Sequence, residues 1–116
     1  MSRKSDPDYL GHMLDAARKA VGKVSGISRQ TFDGDENLRI TLTHLIQIIG
    51  EAASRVSPEG RQEHPEIPWR VIVGMRHRIV HDYLEVDEEV VWQVVTQDLP
   101  PLIMALEKIV PPENEE

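Results

Sequence analysis

The segment "DENLRITLTHLIQIIGEAASRV", residues 35–56, gives the strongest indication of the fold class. Its apolar residues recur every three or four positions, which places their side chains on one face of an α-helix. The pattern therefore predicts a long amphipathic helix, whose apolar stripe comprises Leu38, Leu42, Leu45, Ile49, Ala52 and Val56. Gly50 lies inside this helix, and a glycine there costs stability unless another helix packs closely against it.

The chain on either side of this segment also shows helical spacing. A first helix is predicted over residues 7–24, with Asp6 as its N-cap and Pro7 at its first position. The turn-rich residues 25–37 leave room for one short helical turn. A third helix is predicted from Pro68-Trp69 to about Tyr83, and its buried stripe comprises Ile72, Met75 and Ile79, with Val71 alongside.

A fourth helix is expected to start near Asp87. Pro100 and Pro101 cannot continue a regular helix, so we expect a kink or a restart there, with Asp98 as the cap. No segment shows the alternation of a β-strand. The sequence thus predicts an all-α antiparallel bundle of four to five helices. We expect residues 1–116 to form a single domain, with residues 110–116 as a frayed tail.

Composition narrows the possible functions. The chain has 116 residues, 40% of them hydrophobic, and no cysteine, which excludes disulfides and thiolate metal sites. No apolar run reaches the roughly 18 residues of a membrane span, and we expect a cytoplasmic protein without membrane contact. The net charge of −7 argues against non-specific binding to DNA.

One segment departs from this acidic character. "MRHRIVHDY", residues 75–83, crowds Arg76, His77, Arg78 and His81 together, while residues 82–116 contain ten acids and a single lysine. Spacing alone favours a solvated helix face whose cations pair with nearby acids. On a helix, His77 and His81 would be direct neighbours and Arg76 would lie in line with Tyr83.

Three kinds of chemistry compete with that interpretation. His77 and His81 have the spacing of a helical zinc site, but the glutamate of the hydrolytic motif is replaced by Arg78, a cation that would repel the metal. Serine or cysteine hydrolysis lacks a recognisable nucleophile. Cleavage of RNA without metal or cofactor fits the residue types better. Histidine can transfer protons near neutral pH, and arginine matches phosphate oxygens.

The sequence also resembles a known family. "GMRHRIVHDY" is similar to the Arg-x4-His-x-Tyr motif of the HepT-like branch of the HEPN superfamily, ribonuclease toxins paired with minimal nucleotidyltransferase antitoxins. The segments "IIGEA", "HPEIPW" and "DLPPL" follow in the family's order, so the resemblance covers nearly the whole chain.

This resemblance implies a role for each residue of the motif. Arg76 and His81 match the catalytic pair, and His77 occupies the polar position after the arginine. Tyr83 matches the tyrosine that the partner nucleotidyltransferase modifies with AMP. We expect Arg78 to bind RNA phosphate together with Arg76. The alternative is a non-catalytic helical module that binds a nucleotidyltransferase partner or a nucleotide.

We also expect a homodimer with both motifs facing a shared cleft. One bundle of this size has little room for a cleft of its own. Cleavage needs both a base and an acid, and a two-fold axis would bring two copies of His81 together.

Overall fold

A computed structural model describes residues 5–82 and 85–112 of the protein. The long central helix α3 spans Glu36–Ser54 and starts where the Asp35 carboxylate accepts a hydrogen bond from the Leu38 amide at 3.0 Å. Its predicted apolar stripe is confirmed. Leu38 is half-buried, and the other members are buried, namely Leu42, Leu45, Ile49, Ala52 and Val56.

Helix α1, Asp6–Val24, packs along α3 and has Ser5 as its N-cap. The prediction that Asp6 is the cap is wrong by one residue. The Asp6 carboxylate instead accepts hydrogen bonds from the Ser57 amide at 2.9 Å and the Ser57 hydroxyl at 2.5 Å. These two bonds hold the pKa of Asp6 below its usual value, since they favour the charged form. They also tie the start of α1 to the segment that follows α3.

Two short helices lie in the connections. The predicted turn between the first two long helices is α2, Arg29–Asp33, and its Phe32 side chain is fully buried. The proline-rich connection after α3 contains α4, Pro58–Glu63, which the sequence did not indicate.

The predicted third helix is shorter than expected and interrupted. It consists of α5, Trp69–Val73, and α6, Met75–Ile79, separated at Gly74. The prediction that it runs to Tyr83 is wrong, because the backbone becomes extended at Val80. As predicted, Ile72, Met75 and Ile79 are buried, but Val71 is 49% exposed and does not belong to the core.

A short β-hairpin follows α6 and was not predicted. Strand β1, Val80–Asp82, pairs antiparallel with β2, Glu85–Val86. Strands of two or three residues are too short to show alternation. The β-branched Val80 and Val86 face each other in the pairing, which agrees with the strand preference of such residues. The hairpin is an addition to a fold that is otherwise all α.

The last helical segment is continuous but changes its winding. Asp87 caps α7, Glu88–Gln93, which leads through a π-helical turn, Val94–Asp98, into α8, Leu99–Glu107. Pro100 and Pro101 lie in the first turn of α8. The expected irregularity is therefore present as a π turn, whose wider ring relieves the clash between a proline and the preceding turn. Asp98 occupies the N-cap position of α8, as predicted, but its side chain makes no capping hydrogen bond.

These segments form an all-α bundle, as predicted. Helices α1 and α8 pack together, α5 and α6 pack on α3, and the core lies between them. Among the described helices, none has the length and apolar character needed to cross a membrane. Tyr83 and residues 113–116 of the expected frayed tail lie outside the described residues.

Helix α5 packs closely against α3 at Gly50. A Cβ atom there would lie 3.3 Å from the Ile72 carbonyl oxygen and 3.7 Å from that of Val73. The close packing that would justify a glycine inside this helix is therefore present. The contact is with backbone, which cannot move aside as a flexible side chain can.

We predict that Gly50→Val lowers the free energy of unfolding by about 1–3 kcal/mol, since the added methyl groups would push α5 away from α3. Gly11→Val is the matched control, because no atom outside its own helix lies within 4 Å of a Cβ built at that helical position. We expect the control to stay within about 0.5 kcal/mol of the wild type in urea denaturation. Equal stability of the two variants would contradict the close packing.

Candidate active site

Arg76 lies on α6 with its side chain exposed, at the edge of a groove of about 640 Å³ between α1, α3 and α6. We call this surface the α3 groove, and it is lined by Tyr9, His12, His44, Glu51, Arg55 and Arg76. It continues along α3 past His44 and Gln47 to Ile40 and the hairpin residue Val86. The groove is open to solvent.

Most arginines of the described chain have a carboxylate partner. Those within 3.2 Å of a carboxylate oxygen are Arg18, Arg29, Arg39, Arg55 and Arg78. Arg61 donates instead to the carbonyls of Ala53 and Ser54 at 3.3 and 3.2 Å. Among the arginines of residues 5–82 and 85–112, only Arg70 and Arg76 have side chains that make neither an ion pair nor a hydrogen bond. An acidic protein thus leaves two guanidinium groups uncompensated, on the two short helices α5 and α6.

Arg55 shows what pairing does within the same groove. Its guanidinium bonds the Glu51 carboxylate at 2.7 Å, and this contact is the main cause of the raised pKa of Arg55. Glu51, an exposed acid that lines the groove, neutralises the charge of Arg55 locally. Arg76 is therefore the uncompensated arginine among the described groove residues.

The neighbouring candidates on α6 point elsewhere. Successive residues of a helix are turned by about 100° from each other. His77 lines a different groove, beside Trp69 and Arg70. Arg78 faces the π turn, where it pairs with Asp98 at 3.2 Å. The structure does not bring Arg76, His77 and Arg78 together on one surface, although the sequence grouped them.

His81 lies on β1, two residues beyond the end of α6, and the structure describes its backbone. The expected helical adjacency of His77 and His81 is therefore absent. The argument that aligned Arg76 with Tyr83 on a helix also fails, because the helix ends at Ile79. Tyr83 itself lies outside the described residues. Arg76 and His81 are five positions apart in the sequence, and the end of α6 and the start of β1 lie between them.

Arg70 is the residue that sequence reasoning missed. Residues 61–81 contain four arginines against two glutamates, and nothing in the spacing of Arg70 set it apart from the other three. Its lack of a partner becomes visible only when each carboxylate is placed in space. Within the described residues, no three or more His, Cys, Asp or Glu side chains are grouped so as to hold a metal ion.

Comparison with known proteins identifies the family of this chain. The family described as ribonuclease HepT-like matches residues 13–109. A protein of Caldanaerobacter subterraneus subsp. tengcongensis named "Putative RNase" is 31% identical over 96% of this chain and 99% of its own. The "Probable ribonuclease HepT" of Thermococcus cleftensis is 32% identical over 92% of this chain and 97% of its own. No solved structure gives a significant match.

The matched region contains all of α3, α5, α6 and the hairpin, and therefore the whole Arg76 to His81 segment. A match of this extent defines a class of protein, the ribonucleases of the HepT-like HEPN type. The chain belongs to the HepT-like ribonuclease family, which confirms the resemblance inferred from its motifs.

Proposed function

We propose that the protein is a metal-independent endoribonuclease that uses Arg76 and His81. The observation that carries this proposal is the exposed Arg76, which has no partner among the described residues of a chain with a charge of −7. A free guanidinium attracts phosphate and offers it a planar pair of donors. Membership in the HepT-like family and the names of its relatives support RNA as the source of that phosphate.

The reaction requires two proton transfers at one phosphate. A base removes the proton of the 2′-hydroxyl, the 2′-oxygen attacks phosphorus, and the bond from phosphorus to the 5′-oxygen breaks. An acid then supplies the proton that the departing 5′-oxygen takes up. His81 is proposed to act in these transfers, since imidazole can be either acid or base near neutral pH. Arg76 is proposed to stabilise the charge that builds up on the phosphate oxygens.

We predict that the purified protein cleaves RNA in the presence of EDTA and leaves a 2′,3′-cyclic phosphate and a 5′-hydroxyl. His81→Ala should lose this activity because the imidazole proposed to act in the proton transfers is removed, and gel analysis with end-specific labelling measures both results. His64→Gln is the matched control, since His64 lies outside both grooves. Loss of activity with EDTA and rescue by magnesium would refute the mechanism.

The alternative function is a non-catalytic module that binds a nucleotidyltransferase partner or a nucleotide. The same experiment separates the two. A folded wild-type protein that binds such a partner but cuts no RNA at any concentration would support the alternative.

We further propose that the working unit is a homodimer. The exposed face of α3 carries Ile40, which is 60% exposed, and Val86 of the hairpin lines the same groove. Covering these side chains with a second chain would bury apolar surface and place two Arg76 residues near one cleft. A second copy of His81 would then be present in the dimer, and His77 need not supply the second proton transfer.

Sedimentation should therefore give about twice the mass of 13.2 kDa. Ile40→Glu should yield monomers, because it would bury a charge at the interface. Met104→Glu is the matched control on another exposed apolar residue, one at 64% exposure on α8. An active monomer would end this proposal.

Regulation is proposed to act through Tyr83 and a minimal nucleotidyltransferase antitoxin, in the cytoplasm. The Tyr83 phenol would attack the α-phosphorus of ATP and release pyrophosphate, leaving AMP on the oxygen. The attached phosphate would then compete with RNA for the cations of the motif. His77 remains a proposed contributor to catalysis. Arg78 remains a proposed contributor to phosphate binding, for which the phosphate must compete with the Asp98 carboxylate.

Co-expression with the cognate nucleotidyltransferase should add the mass of one adenylate to the chain and suppress cleavage. The chain has two tyrosines, so Tyr83→Phe should abolish the added mass while Tyr9→Phe keeps it. Mass spectrometry checks both variants. A fully inhibited complex with unmodified Tyr83 would exclude this route.

A further inference from the structure

Arg70 is the second arginine without a partner among the described residues. It lines a groove of about 710 Å³ that shares no lining residue with the α3 groove around Arg76. We call it the Trp69 groove, after its aromatic wall, and its lining includes Arg61, Pro65, Trp69, Arg70, Val73 and His77. Among the described residues, no acidic side chain lines it. Cations at the edge and apolar side chains between them are the combination that suits a nucleotide, with its charged phosphate and flat base.

Trp69 is held firmly in this groove. Its indole N–H donates to the Arg61 carbonyl at 3.2 Å and to the His64 carbonyl at 3.0 Å. The ring is half-buried against the core, as expected of a residue that anchors a helix start. Both bonds come from one edge of the indole, which fixes the orientation of the whole ring. A ring fixed beforehand can contact a base without the entropy cost of being ordered on binding.

The charge of the groove is not cancelled locally. Arg61 donates to the neutral carbonyls at the end of α3, and its guanidinium lies 6.0 Å from the centre of the Trp69 ring. Its charge therefore persists within the groove. Arg70 and His77 are exposed and have no ion-pair partner among the described residues. The groove is thus a cationic surface on an acidic protein, and anions are drawn to such a surface.

The position of the groove relative to Arg76 supplies the connection. Arg76 and His77 are consecutive on α6 and open onto the two different grooves. A strand bound at Arg76 that crosses α6 would meet His77 next. Arg70 is six residues before Arg76, and only Gly74 separates the two short helices that carry them.

We propose that the Trp69 groove is a binding subsite for the RNA nucleotide next to the cleaved phosphate. The base would lie against Trp69, Pro65 and Val73, and its phosphate would bind Arg70 with help from His77. This inference rests on the proposed ribonuclease function, because it assumes that the cleaved phosphate is held at Arg76. It assigns Arg70 a role in binding the substrate and none in proton transfer.

The first test measures binding of a 2′-O-methyl RNA oligonucleotide, which cannot be cleaved through its 2′-oxygen, by fluorescence anisotropy at several salt concentrations. Losing one phosphate contact should weaken binding by Arg70→Gln about fivefold at 0.1 M salt and lower the salt slope by about 0.7. Arg18→Gln makes the same charge change on α1, where Arg18 pairs with Glu107. It should bind like the wild type. With cleavable RNA, Arg70→Gln should raise KM more than it lowers kcat.

The second test reads the aromatic contact. The chain has two tryptophans, and Trp92 packs on Phe32 with ring centres 4.9 Å apart. Trp92→Phe keeps an aromatic ring at that contact and leaves Trp69 as the only tryptophan, whose emission is read by exciting where tyrosine does not absorb. The same oligonucleotide should quench this emission, and less so when Arg70→Gln is added. If the tryptophan variant does not fold, the comparison of Arg70→Gln with Arg18→Gln decides alone.

Each outcome points to one conclusion. Equal affinities of Arg70→Gln and Arg18→Gln overturn the subsite, and if the wild type still cleaves RNA, the proposed function survives. Binding that depends on Arg70 without any cleavage supports the subsite and rejects the proposed enzyme. Absence of all RNA binding overturns both. Loss of a nucleotidyltransferase partner by Arg70→Gln with RNA binding unchanged overturns the subsite in favour of a protein docking surface.

Discussion

The close approach of α5 to α3 at Gly50 positions everything that follows it. The Ile72 carbonyl lies where a side chain at residue 50 would begin, so the backbone of α5 rests directly on the central helix. Because only Gly74 lies between α5 and α6, this contact also fixes where Arg76 lies relative to α3. Ile72, Met75 and Ile79 then anchor α5 and α6 in the core, while Arg70, Arg76 and His77 are left on the surface. The position of the candidate site therefore depends on the close backbone contact at Gly50.

Charge placement separates the two grooves from the rest of the surface. Acids are in excess, and exposed ion pairs individually contribute little stability. Their effect here is selective. They compensate Arg18, Arg29 and Arg39, as well as Arg78 beside Asp98 and Arg55 inside the α3 groove. Arg70 and Arg76 are left as strong anion attractors. An acidic surface that repels nucleic acid elsewhere would direct a strand towards these two positions.

Periodicity predicted the helices well wherever apolar residues recurred over several turns. The stripe from Leu38 to Val56 identified α3, and the burial of Ile72, Met75 and Ile79 followed from the same spacing. What periodicity could not show was where the helical winding stops. Gly74 interrupts the third helix, and the pairing of Val80 with Val86 replaces its last turn by a hairpin. That pairing is a contact between two strands, which a helical pattern in the sequence cannot reveal.

The candidate site was predictable in its residue types but not in its geometry. The motif identified Arg76 and His81, whereas consecutive positions on α6 sent Arg76, His77 and Arg78 to three different surfaces. The pairing of Arg78 with Asp98 depends on how the π turn lies against α6 in space. The same holds for Arg70, whose distinction is the lack of any nearby carboxylate among the described residues. Such features belong to the charge distribution in space rather than to spacing along the chain.

The most direct measurement of the central claim is the cleavage rate of Arg76→Gln at saturating RNA, with circular dichroism as the check on folding. If Arg76 is kept unpaired in order to stabilise charge on the phosphate, kcat should fall by about 10²–10³-fold while the helical signal is unchanged. Arg18→Gln, which removes an arginine already paired with Glu107, should keep the wild-type rate. A folded Arg76→Gln protein that cleaves RNA at the wild-type rate would contradict the account.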